Sequence, residues 1–140
     1  MPLTIDQLDE LHARIVLDIL ETDANQPVYE GSTPDNVQPP YMLVYTSVYW
    51  PGNGSEGQTL EFKTNQCITQ AFVHCVGETD QAARALSNRA RQLLVNVRPV
   101  ISGRSCSLIQ QQNAQNPVKD ERTGVLVMDV VATYQFTSNG

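Results

Sequence analysis

Hydrophobic positions along this chain recur with two periods, and each change of period marks an element. Leu8, Leu11, Ile15 and Ile19 step by three and four, one stripe of an amphipathic helix. Thr4 with Gln7 three residues on forms a capping box that starts it, and the stripe predicts a helix to about Glu21. From Tyr41 to Tyr49 β-branched and aromatic residues dominate, which predicts a strand apolar on both faces. A second strand begins between Leu60 and Gln66 and runs to Val76, with Ile68, Phe72 and Val76 alternating against Cys67, Thr69, Ala71, Val73 and Cys75. Gly77 ends it, and Thr79 offers a side-chain oxygen to the free N–H groups of a new helix. Ala83, Leu86, Ala90, Leu93 and Val97 form that helix's stripe, from Asp80 to about Val97, with Pro99 as its stop. A third strand fits residues 105–110. A last strand fits 125–136, where Leu126, Met128, Val130, Ala132, Tyr134 and Phe136 share a face.

The segments between are polar. Residues 22–40 are rich in Pro, Asn, Asp, Ser and Thr and read as an extended connector with room for a short strand at Val28 and Tyr29. Residues 51–59 and 111–123 read as long hairpin loops. The order α-β-β-α-β-β predicts one α+β domain over residues 1–140, a mostly antiparallel sheet of four to five strands with two helices packed on one face. Either Val44, Val48 and Trp50, or Val127 and Val131, would then form a second apolar face that the helices cannot cover. A monomer seldom tolerates a large patch of that kind, so self-association is expected.

Charge sharpens this expectation. The net charge is −6, yet residues 1–40 hold eight carboxylates against Arg14 alone, while Arg84, Arg89, Arg91, Arg98 and Arg104 cluster further on. Such segregation permits head-to-tail attraction between copies, and the acidic total disfavours specific nucleic-acid binding. No run approaches the length of a membrane span, and acids stand where a secretory signal would carry bases, so a cytoplasmic chain is expected.

Candidate chemistry is sparse. Cys67 and Cys75 face the same way on one strand but lie about 26 Å apart, too far to bridge or share a metal. An odd count of three suits a reducing compartment. His12 and His74 lack any companion motif for a nucleophile or metal and read as structural or surface residues. The glycine-rich stretch at 51–57 joins two strands, whereas a phosphate cradle needs a helix to follow. Asp120 and Glu121 lack the alternating carboxylates of a calcium site. Trp50 reads equally as a core edge or an interface anchor. Arg84 and Arg91 share a helix face, with Arg89 about 140–160° away. No catalytic, cofactor or metal residue stands out.

One pattern is more specific. A strand ending in Cys75-Val76-Gly77-Glu78-Thr79-Asp80 leads into a helix with Gln81-Ala82-Ala83 and Leu93-Leu94. Then come Gly103-Arg104, a polar hairpin, and a last strand ending Tyr134-Gln135-Phe136-Thr137. This resembles the tail terminator (tail completion) proteins of long-tailed bacteriophages, especially those infecting actinobacteria, over about residues 41–137. The resemblance implies a structural virion protein without enzymatic activity or cofactor, assembled in the host cytoplasm. It implies a hexameric ring on the head-proximal end of the tail tube that ends polymerisation and joins the tube to the head connector. Its partners would be further copies, the tail tube protein and the head–tail connector or stopper, with DNA passing non-specifically through the pore and no membrane involved. Assembly contacts are expected at Trp50, Asn53 and Glu56, at Arg84 and Arg91, and at Gln112, Lys119, Asp120 and Arg122. A head–tail adaptor of the neck would show much of the same element order, and a monomeric α+β binding module is the reading of a different class.

Overall fold

The computed structural model describes residues 4–22, 27–34, 37–50, 66–115, 118–120 and 127–139. Its elements are α1 (Ile5–Glu21), β1 (Val28–Glu30), β2 (Tyr41–Tyr49), β3 (Gln66–Gly77), α2 (Asp80–Leu94), β4 (Ser105–Cys106), β5 (Gln110–Ala114), β6 (Val118–Asp120) and β7 (Val127–Asn139). The fold is α+β. The strands form one mixed sheet in the order β1-β2-β3-β7-β4, with β5 and β6 also pairing β7. Among the described residues only β1 is parallel to its neighbour, Val28 opposite Met42; the other pairs are antiparallel. Both helices lie on one face, α1 against β1 and β2 and α2 against β3 and β7.

Local chemistry explains the boundaries. The α1 capping box forms in both directions: Gln7 N–H donates to Thr4 Oγ1 at 3.1 Å, and Thr4 N–H donates to Gln7 Oε1 at 2.9 Å. At α2, Ala82 N–H donates to Thr79 Oγ1 at 3.1 Å. This helix stops at Leu94, three residues before the expected end. Asn96 adopts a left-handed φ of 67° just beyond the C-cap, and its N–H donates to Ile109 O at 2.9 Å. A left-handed residue there reverses the chain, and Asn tolerates it better than most.

The core lies between the helices and one sheet face. Met42 and Val44 of β2, Ala71, Val73 and Cys75 of β3, and Ala132, Tyr134 and Phe136 of β7 meet Val16, Leu17 and Leu20 of α1 and Leu86, Ala90 and Leu94 of α2. Val44 is thus covered by the helices and does not belong to a second apolar face. The residues expected in a 111–123 loop are largely drawn into the sheet. Gln110 pairs with Gln135, Ala114 with Ala132 after a register shift, and Asp120 with Val127. β5 is an edge strand, mostly exposed, so its ladder bonds to β7 hold it and its side chains stay polar. No alternation of apolar residues announces such a strand.

Tyr134 is 1% exposed, and its hydroxyl has no hydrogen-bond partner among the described residues. A buried, unsatisfied hydroxyl costs about 1–3 kcal/mol. Tyr134→Phe is therefore expected to hold stability or raise it by about 1 kcal/mol in urea denaturation. A loss above that size would reveal a partner for the hydroxyl.

Candidate assembly surfaces

The sheet has an open face. Alternation in β2, β3 and β7 turns Leu43, Tyr45 and Tyr49, then Ile68, Phe72 and His74, then Val127, Asp129 and Val131 away from both helices. Tyr45 and Tyr49 are each 43% exposed, and Leu43, Ile68, Phe72 and Val131 are half-buried. Of the two expected apolar faces, the one containing Val127 and Val131 exists. Four of its polar members pair with each other. His74 Nδ1 lies 2.9 Å from Asp129 Oδ2, the Tyr45 ring meets the His74 ring edge-on at 5.5 Å, and Gln70 Nε2 donates to Gln135 Oε1 at 3.0 Å. Asp129 Oδ1 on the same face has no hydrogen-bond partner among the described residues.

A second cluster is internal and joins α1 to the ends of β2 and β7. His12 is fully buried, with Nδ1 2.6 Å from Leu8 O and Nε2 2.7 Å from Ser138 Oγ. A carbonyl only accepts, so Nδ1 carries the proton, and Nε2 accepts from the Ser138 hydroxyl. Arg104 Nε donates to the same hydroxyl at 2.9 Å, and Arg104 Nη2 donates to Ser138 O at 3.2 Å. The Arg104 guanidinium also lies 5.0 Å from the Trp50 ring centre, and Trp50 Nε1 donates to Asp9 Oδ1 at 2.7 Å. The His12 ring stacks on Phe136 and meets Trp50 edge-on. Burial lowers the His12 pKa below its usual value, and the Arg104 charge adds to this against the pull of the Leu8 carbonyl and Asp9. This neutral imidazole is a structural part. Sequence spacing gave no hint of its partner, 126 positions away.

The remaining expected residues are scattered. Trp50 packs at the edge of the core. Arg84, Arg91 and Gln112 are exposed, and Arg91 Nη2 donates to Asn88 Oδ1 at 3.3 Å. Lys119 and Asp120 belong to β6 by their backbone. Asn53, Glu56 and Arg122 lie outside the described residues. All three cysteines are free and buried, and burial pushes the Cys67 thiol up to about 11 and the Cys75 thiol up to about 12. Protonated, enclosed thiols are poor nucleophiles and poor metal ligands. No helix among the described residues is long and apolar enough to cross a membrane.

The solved structures that share this fold include the following two. One is a chain from the virion of a native gene transfer agent (GTA) particle, 12% identical, aligned over 93% of this chain and 94% of that chain with a TM-score of 0.66. The other is 15% identical over 91% of this chain and 89% of its own, with a TM-score of 0.53. No family model matches the chain, and no curated protein matches its sequence.

Proposed function

We propose that this chain is a structural virion protein that forms a six-membered ring at the head-proximal end of a tail tube. The ring ends growth of the tube and joins it to the head connector. The observation that carries this reading is the agreement of its fold, over more than nine-tenths of both chains, with a component of a gene transfer agent virion. The surfaces agree in kind with a part that works by contact rather than by chemistry. Both histidines are engaged in internal contacts, the thiols are enclosed, and a broad apolar sheet face stands open. A face of that kind is stabilised when something covers it. A heterologous ring covers each copy's surface with a different surface of the next and closes without leaving ends. The partners are further copies of the chain, the tube protein and the connector, with DNA passing through the pore without specific contacts. Electron microscopy of tails assembled with and without the protein tests this. Tubes of uncontrolled length are expected in its absence; tubes of normal length, headed normally, would overturn the reading.

A further inference from the structure

We infer that copies of this chain join head to tail, the acidic outer stripe of α1 in one copy seated on the arginine stripe of α2 in the next. The inference rests on the ring reading above and names a surface that closes the ring. Helix α1 carries Asp6, Asp9, Glu10, Asp18 and Glu21 against Arg14 alone. Arg14 is already engaged by Asp18 at 3.3 Å and Glu30 at 3.8 Å, and Asp9 is held by Trp50. Asp6, Glu10 and Glu21 remain, all exposed and without an ion-pair partner among the described residues. At 100° per residue these three fall within about 60° of one another, on the side away from Leu8, His12 and Val16. Opposite them in sign, the chain from Gln81 to Val118 contains five arginines and no carboxylate. Arg84 and Arg91 of α2 are exposed and about 20° apart, one line along the helix.

Two further observations turn this segregation into a surface. The helices lie side by side over different strands, α1 over β1 and β2, α2 over β3 and β7. The acidic stripe and the arginine line thus belong to two different helices of one layer, and α2 of a second copy offers α1 its complement in charge. Two acids at the far end of α1 are also poorly placed for α1 itself, whereas Asp6 in the first turn is well placed. Its last turn contains no basic residue, while Asp18 and Glu21 stand near the negative end of the helix dipole. The Arg14–Asp18 pair has the base first, the weaker order at this spacing. Such an arrangement lowers the stability of an isolated helix, and a neighbour's guanidinium groups would reverse the penalty.

The test is sedimentation of the full chain as wild type, as Asp6→Lys/Glu10→Lys, as Arg84→Glu/Arg91→Glu, and as an equal mixture of the two variants. The wild type is expected to assemble and to weaken between low and high salt. Each variant alone is expected to shift assembly to concentrations about 100-fold higher, since like charges then face each other. The mixture is expected to recover assembly in alternating copies, because each variant offers the complement of the other's altered face. Recovery also shows that both variants fold. Variants that assemble like the wild type overturn this interface while the ring reading stands. Impaired variants whose mixture fails to recover also overturn it. A wild type that remains a 15.5 kDa species at every concentration overturns both.

Discussion

Replacing His12 by alanine is expected to lower the unfolding free energy at pH 8 by about 3 kcal/mol, within the range for deleting a fully buried ring. The ring fills the space between Phe136 and Trp50 and bridges the Leu8 carbonyl to the Ser138 hydroxyl. Its loss opens a cavity and strips the Ser138 hydroxyl of its acceptor, while Arg104 still donates to that oxygen. The damage should concentrate where α1 meets β7. Hydrogen exchange should quicken first in α1, whose hold on the sheet includes this bridge, and later in α2.

The same residue gives the wild type a pH dependence with a defined sign. Its folded pKa lies below the usual value of 6.5, so between the two the unfolded chain binds the extra proton. Stability from a neutral His12 is fully present above about pH 6.5 and is lost as pH falls from there towards the folded pKa. A protonated ring would face the Arg104 charge and would leave Nε2 as a second donor to a hydroxyl that already accepts from Arg104. The difference in stability between wild type and His12→Ala should therefore shrink from pH 8 to pH 5. Parallel pH curves for the two proteins would show that the ring does not titrate in this way.

What the sequence reveals and what it hides divide by the distance over which the cause acts. Thr4 with Gln7, Thr79, and the alternation in β2 and β7 are local signals, and each element they predict is present. The stripe of α2 ran on through Val97 only because Asn96, between two apolar residues, does not interrupt a count of periods; its backbone turns left-handed and ends the helix. β5 and β6 escaped because pairing with β7 holds them and their own composition is polar. The assembly surfaces divide in the same way. Helical geometry alone puts Arg84 and Arg91 on one line, and the structure exposes it. The open face needed the register of three strands, because Val44 and Val131 look alike in sequence and only packing sends one inward and the other outward. The Trp50–Asp9 and His12–Ser138 contacts join residues 41 and 126 positions apart, beyond any spacing rule.

Gly77→Ala is expected to cost about 3 kcal/mol, the upper part of the usual range for forcing atoms into a packed core. Gly77 ends β3, and freedom of backbone angle is not why it is there, in contrast to Gly103, whose φ is 79° with open space around it. The reason is proximity. A Cβ at Gly77 would come within 2.7 Å of Ala83 N and 2.9 Å of both the Ala82 carbonyl carbon and Cβ. Two of those three atoms are backbone of the first turn of α2, so no rotamer change relieves them. The turn must lift away from the end of β3, and Ala82 N–H then leaves Thr79 Oγ1, adding the loss of a cap to the strain. Ala83, fully buried on that turn, would move with it. Urea denaturation measures the effect. A cost below about 1 kcal/mol would mean that the start of α2 shifts freely against the sheet, and the helical layer would then be a poor base for any rigid surface built on Arg84 and Arg91.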